Sequence, residues 1–258
     1  MNTPNTPTTP AGGFHNYFGP QAGRYLEFRP RYPAALFHYL AVVGGGTRAA
    51  WDCATGNGQA AVRLAERFTR VVATDPSEDM IAKAIPHPRV TYAVAKYASG
   101  LPDHSANLVT VAQALHWFDI DPFIREARRV LVPGGVLAAW CYSKCSVDST
   151  VDQLVEMFYT VTLGPFWSAE RRFVDDGYRS IPLPLDELAP PPFEMIEQWT
   201  LPEFAGYIRT WSAVNKFIAV RGEEPVLAFE DALAQMWGDP REKRRVRFPI
   251  HCRIGQLR

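Results

Sequence analysis

Five short apolar runs are spaced through the first half of the chain: "RAAWDC" (48–53), "RVVATD" (70–75), "RVTYAVA" (89–95), "NLVTVAQA" (107–114) and "GGVLAAWCY" (134–142). None alternates strictly between apolar and polar, which is the pattern of strands covered on both faces, and helical patterns separate them. Ala61, Leu64, Ala65 and Phe68 form one stripe, and Phe123, Ile124, Ala127, Val130 and Leu131 form another that "VPGG" ends. Ser77 is placed to cap a helix carrying Glu78 and Asp79 in its first turn. Upstream, Pro33 opens the helix "PAALFHYLAVV", which stops at Gly44-Gly45-Gly46. The spacing predicts an α/β fold with a doubly wound parallel sheet.

After Tyr142 the text changes. A helix-like stretch (149–163) leads into a loop-rich segment (164–192), the strand candidate "FEMIEQWT", two helical patterns (around Pro202 to Phe217 and Glu223 to Trp237) and a last strand, "RRVRFPIHCRIG". Phe166, Trp167, Tyr178, Phe193, Trp199, Tyr207, Trp211 and Trp237 make this half dense in aromatics, which build core or wall a pocket.

Lys plus Arg and Asp plus Glu both number 27, so no charge excess advertises nucleic acid or an anionic membrane. The basic run Arg241 to Arg247 reads as a solvated strand edge. The opening "MNTPNTPTTPAGG" has neither a basic start nor an apolar stretch; it reads as a disordered lead-in, and a cytoplasmic location is expected. Cys53, Cys141, Cys145 and Cys252 lack zinc spacings and read as free thiols, so no metal is expected.

The loop "WDCATGNGQAA" (51–61) leaves two ligands open. Gly56-Asn57-Gly58-Gln59-Ala60-Ala61 fits the dinucleotide pattern G-x-G-x-x-[G/A], with Asp75 downstream as the ribose acid. Asp52, however, precedes the turn, where a pyrophosphate gains nothing from a negative charge. S-adenosylmethionine carries a sulfonium, an ammonium and a ribose diol but no phosphate, and Asp52 with Asp75 suits it better.

"DCATGNGQA" resembles the D-x-G-x-G-x-G first motif of class I S-adenosylmethionine-dependent methyltransferases, and Asp75 matches their ribose-binding acid. The likeness runs on through "YLEFRPRYP", "SGLPDHSANLVTVAQALHWFD", "PGGVLAAWCY", "YIRTWSAVNKF" and "VRFPIHCRIG", a pattern similar to the small-molecule group that includes trans-aconitate methyltransferases. The resemblance implies a Rossmann-like doubly wound sheet of seven strands, order 3-2-1-4-5-7-6 with the last antiparallel, under a helical cap. It implies a lead-in (1–13), an N-terminal lid and first helix (14–47), a cofactor-binding core (48–145), a cap insertion (146–192) and C-terminal strands and cap helices (193–258) completing the same domain. Asp52, Ala54, Gly56 and Gly58 would wrap the methionine end of the cofactor. Asp75 would hold the ribose, Pro76 and Met80 would flank the adenine, Tyr97 and Ala98 would lie at its edge, and Gln113 and Ala114 would border the sulfonium. Two residues depart from the family pattern. Ala54 replaces the first glycine, which is tolerated if it keeps negative φ, and Tyr97 stands where relatives commonly have an acid.

Methyl transfer from a sulfonium is a direct displacement, so positioning carries much of the catalysis. His116 in "ALHWFD" is the candidate base, expected to titrate near neutral pH, with a wall residue as its other reading. His116→Ala is expected to lower turnover while cofactor binding survives. Arg29 and Arg31, with Tyr17, Tyr25 and Tyr32, are assigned to the lid, Arg29 as a partner for a substrate carboxylate. Trp117, Tyr142, Trp211 and Ser212, with Tyr17, are the other candidates for acceptor contacts. The expectation is O-methylation of a carboxylate or hydroxyl on a small molecule, in secondary metabolism or otherwise, by a monomer or homodimer without nucleic-acid or membrane partners. The alternatives are an NAD-dependent oxidoreductase and a methyltransferase fold that binds cofactor without transfer.

Overall fold

A computed structural model describes residues 29–258. The five apolar runs become strands β1 (Ala49–Cys53), β2 (Arg70–Asp75), β3 (Val90–Val94), β4 (Ala106–Ala112) and β5 (Leu131–Tyr142). They pair in parallel as β3-β2-β1-β4-β5. Strands β6 (Leu185–Glu187), β7 (Phe193–Trp199) and β8 (Arg244–Leu257) complete the sheet. β8 runs antiparallel to β5 on one side, and its other side takes β7 at one end and the three-residue β6 at the other. Setting the short β6 aside, the strands run β3-β2-β1-β4-β5-β8-β7, which is the implied order 3-2-1-4-5-7-6 once β7 and β8 are counted as sixth and seventh, with the last antiparallel.

The unalternating runs have the expected physical cause. Along β5, Val136, Ala138, Trp140 and Tyr142 enter one hydrophobic cluster, while Leu137, Ala139 and Cys141 enter a second on the opposite face. The first face packs against α1 (Ala34–Val43), through Leu36, Phe37 and Leu40, and α2 (Gln59–Ala65), through Ala60, Ala61 and Leu64. The other packs against Phe123, Ile124, Ala127 and Val130 of α4 (Ile120–Val130). Between them in sequence, α3 (Glu78–Ala82) is capped by Ser77, whose Oγ accepts from Met80 N at 3.3 Å.

Several elements differ from the sequence expectations. "VPGG" does not follow α4 as a loop; Leu131 already starts β5, with a register shift between Ala106 and Leu108 beside it. The 149–163 stretch divides into α5 (Ser149–Met157) and a π-helical turn, Phe158–Thr162. A short helix, α6 (Arg171–Asp175), lies inside the segment read as loop. The pattern around 202–217 is two helices, α7 (Leu201–Arg209) and α8 (Ser212–Arg221), followed by α9 (Glu224–Trp237). Trp211 breaks the first pair with extended backbone (φ −67°, ψ 133°), and its ring packs on Tyr159, Trp167 and Tyr207 at 5.6–5.8 Å. The basic run is an edge on one side only: from Arg244 to Arg247 β8 pairs with β7, whereas its pairing with β5 starts at Ile250 and, among the described residues, Ser146 alone bridges to Arg247. Arg244 pairs with Asp148 at 2.7 Å and Arg247 with Glu194 at 2.8 Å. All four cysteines are free thiols. Among the described residues no helix is long and apolar enough to cross a membrane, and none of their His, Cys, Asp and Glu side chains group into a metal site.

Candidate active site

Ligands of an open parallel sheet bind beyond the carboxyl ends of its strands, and here the ends of β1, β2 and β4 open into one crevice. Its wall includes Ala54, Thr55 and Gly56 from the turn after β1, and Asp75, Pro76, Ser77 and Met80 from the end of β2 and its helix. Tyr97, Gln113, Ala114, Trp117 and Phe118 close it from β3 and β4. Asp75 is buried and accepts hydrogen bonds from Gly56 N at 2.8 Å on Oδ2 and from Ser77 N at 2.9 Å on Oδ1. Each oxygen keeps a lone pair for a ligand hydroxyl. Burial pushes this carboxyl above the usual carboxylate range, against the two backbone bonds.

The glycine turn is braced by its own hydrogen bonds. Gly56 gives its N–H to Asp75, and Gly58 gives its own to Thr55 O at 3.0 Å. Those two amides are therefore taken, while the helix behind them starts without a side-chain cap on its first N–H groups. Asn57, also in the wall, holds a buried Nδ2 with no hydrogen-bond partner among the described residues, a polar atom that a ligand in the crevice would satisfy.

Three of the residues the resemblance assigned to the cofactor lie outside this wall. Asp52 is fully buried beneath the turn, where Oδ2 accepts from Thr55 Oγ1 at 2.5 Å and Oδ1 from Thr110 Oγ1 at 2.6 Å. Burial, partly offset by Thr110 and Thr55 and reinforced by the charge of Asp75, pushes it up to about 6. It touches the crevice through Thr55, not directly. Gly58 (φ +88°) is required by packing: a Cβ there would stand 2.2 Å from the Tyr92 hydroxyl. Ala98 also lies outside the wall.

Ala54 overturns the expectation that it keeps negative φ. Its φ is +54°, in the left-handed region that costs a non-glycine residue about 1–2 kcal/mol. Glycine's larger unfolded-state entropy offsets about 0.4–1 kcal/mol of the relief. Ala54→Gly is therefore expected to stabilise the protein by about 0.5–1 kcal/mol, raising Tm by about 2 °C. Urea denaturation showing unchanged or lower stability would remove the strain argument. Gln113 (φ +56°) and Tyr178 (φ +64°) share this conformation near the site, where such strain tends to collect. The Gln113 side chain acts as an extra rung on β5, with Nε2 donating to Tyr142 O at 2.9 Å and Oε1 accepting from Tyr142 N at 2.7 Å.

A second pocket adjoins the first and shares Arg29, Gln113, Trp117 and Tyr142 with it. It brings together Arg29, His116, Trp117, Tyr142, Trp211 and Ser212, all expected from the sequence to serve an acceptor. Arg29 Nη1 donates to the Tyr142 hydroxyl at 2.8 Å. Tyr17 and Tyr25 lie outside the described residues. Arg31 donates its backbone N–H to Glu197 at 2.9 Å, and Tyr32 packs edge-on against Trp140 while lining the first pocket.

The expectation that His116 titrates near neutrality does not hold. Burial and the charge of Arg171 push its imidazole down to about 3. Tyr97 reaches the crevice wall, but its hydroxyl is taken by Asp119 N at 2.7 Å and its ring packs on Phe118 and Phe123.

Sequence reasoning missed Asn57, Thr55 and Lys96 in the first pocket, and Ser143, Ser168 and Arg171 in the second, where Trp167 and Tyr207 were marked only as aromatics of core or pocket wall. Asn57 was visible inside the glycine pattern; nothing in the irregular text around Arg171 marked it.

Comparison with known proteins agrees with this architecture. Residues 51–139 match the family model of a methyltransferase domain. A Dictyostelium discoideum protein named as a methyltransferase is 30% identical over 229 residues, 87% of each chain. A Mycobacterium tuberculosis protein named as an uncharacterised methyltransferase is 38% identical over 125 residues, 46% of this chain and 49% of its own length. Among solved structures, a chain from Anaeromyxobacter dehalogenans named as a type II methyltransferase is 46% identical, covering 89% of this chain and 98% of its own with a TM-score of 0.85.

Proposed function

Starting from a chain that belongs to the class I S-adenosylmethionine-dependent methyltransferases, we propose that it methylates an oxygen of a small molecule, specifically of a carboxylate. Bound S-adenosylmethionine supplies an electrophilic methyl group. Asp75 would accept from the ribose hydroxyls, and Pro76 and Met80 would face the adenine with Tyr97 at its edge. Ala54, Gly56 and Asn57 would meet the methionine end, and Gln113 and Ala114 would border the sulfur. The unpartnered Asn57 amide and the free lone pairs of Asp75 support that fit.

One observation carries the choice of acceptor: the adjoining pocket holds two arginines, Arg29 and Arg171, no acidic side chain among its described lining, and a histidine kept neutral. A hydroxyl or amine acceptor would call on a base to remove a proton, whereas a carboxylate arrives as an anion and needs none. Arginine matches a carboxylate in charge and in the fork of its donors. The residues shared by the two pockets would position the acceptor oxygen for transfer, the part of catalysis worth up to about 7–11 kcal/mol in well-oriented cases.

The test is incubation with labelled S-adenosylmethionine and a panel of aliphatic, aromatic and polycarboxylic acids beside hydroxyl-bearing analogues. The polycarboxylic members test the resemblance to trans-aconitate methyltransferases. Methyl esters detected by mass spectrometry are expected. Methyl ethers alone would favour hydroxyl transfer, and tight cofactor binding without any product would favour the binding-only alternative. With His116 held near 3, turnover is expected to stay flat from pH 6 to 8; an inflection near 6.5 that disappears in His116→Ala would restore the histidine as base.

A further inference from the structure

We infer that His116 serves the second pocket as a neutral hydrogen-bond donor, its tautomer fixed by Tyr178, and that with Arg171 it holds an oxygen anion of the bound molecule. The inference rests on the reading that this pocket receives the acceptor. Tyr178 is fully buried, and its hydroxyl has one hydrogen-bonded side chain among the described residues, Nδ1 of His116 at 3.1 Å. If Nδ1 carried the proton, the buried O–H would have nothing to donate to, which buried hydroxyls avoid. The hydroxyl therefore donates to Nδ1. An imidazole that accepts at Nδ1 carries its single proton on Nε2. The guanidinium of Arg171 opposes a second proton on the ring.

Arg171 is itself pre-set. Its Nε is held by the Tyr159 hydroxyl at 2.8 Å and by Asp175 at 3.3 Å, and its guanidinium lies 4.8 Å from the Trp167 ring centroid. The two terminal nitrogens have no hydrogen-bond partner among the described residues, although Arg171 lines the pocket. A fixed guanidinium fork beside a fixed N–H donor, in a pocket with no acid of its own, leaves the ligand to supply the oxygen anion.

The test uses ¹⁵N-labelled full-length protein loaded with S-adenosylhomocysteine, with His116→Gln to assign the ring. Long-range ¹H–¹⁵N spectra are expected to show a protonated Nε2, a bare Nδ1 and no titration from pH 5 to 8; Tyr178→Phe is expected to release the tautomer preference. A proton on Nδ1, or a midpoint inside that range, overturns the inference.

Sodium benzoate, chosen for the aromatic walls of Trp117, Trp167 and Trp211, probes the anion by calorimetry. His116→Gln, which keeps an N–H donor, is expected to stay within threefold of the native affinity. His116→Leu and Arg171→Gln are each expected to lose tenfold or more, with S-adenosylhomocysteine affinity unchanged as the check on folding. Absent benzoate binding to the native protein, or equal binding to all variants, overturns it as well. Neither readout needs turnover, so a failure to form methyl esters would sink the carboxylate reading while leaving the state of His116 measurable.

Discussion

Asp75→Ala is expected to weaken S-adenosylhomocysteine binding by about 10²- to 10³-fold, the largest loss from any single side chain of the first pocket. Hydrogen bonds to a charged group contribute about 1.5–3 kcal/mol each, and two ribose hydroxyls would share this carboxylate. The substitution also frees Gly56 N and Ser77 N, whose bonds to Asp75 hold the glycine turn and the start of α3 in place. At 1.36 kcal/mol per decade, a net loss of about 3–4 kcal/mol gives the stated range. Asp75→Asn keeps one acceptor oxygen and is expected to lose about tenfold. Calorimetry decides it: a change below about fivefold in Asp75→Ala would mean that the ribose is held elsewhere.

Asp52→Asn is expected to have its main effect on stability, with a definite pH dependence. Burial raises the folded-state value of Asp52 to about 6 from an ordinary value of 3.8, so between those limits the folded protein binds more protons than the unfolded chain. The stability linked to this group is fully present below pH 3.8 and is lost as pH rises through 6, by about 3 kcal/mol at most. An asparagine removes that slope. Its amide can be accommodated because Thr110 Oγ1 has a second acceptor, Trp51 O at 3.4 Å, and can turn its proton there while accepting from the new N–H. Urea denaturation is expected to show Asp52→Asn more stable than the native chain by about 2 kcal/mol at pH 8 and no more stable at pH 4. A variant less stable at pH 8 would show that the buried carboxylate is a net stabiliser.

Asp52 also shows how far the chain could be read before its coordinates. The run "RAAWDC" identifies a strand with both faces covered, and its position before the glycine turn identifies the sheet tip. It does not say that Thr55 folds back over the carboxylate and closes it from the crevice, because that depends on the turn's backbone. Ala54 is a similar case: sequence marks the missing glycine, but only the observed φ shows that the position kept the glycine conformation.

Asp75 and Gly56 were legible because strand, turn and helix follow each other at short, regular spacing, and Gln113 and Ala114 came from the family resemblance alone. Of the second pocket, His116, Trp117 and Tyr142 were legible at the sheet's edge, and Arg29, Trp211 and Ser212 beyond it. Arg171 comes from "SAERRFVDD", where two adjacent arginines look like solvated charge. What sets it apart is the local fold: Asp175 one helical turn on, Trp167 just before the helix and Tyr159 in the π-helical turn meet its guanidinium.

Co-crystallisation with S-adenosylhomocysteine and benzoate puts the two-pocket arrangement to the most direct test. The ribose is expected against Asp75, the sulfur at the mouth formed by Gln113, Trp117 and Tyr142, and the benzoate in the chamber beyond with its carboxylate between Arg29 and Arg171. Density for the nucleoside away from Asp75, or a sulfur turned from the Arg29 side so that no straight path joins it to the second pocket, would contradict the account.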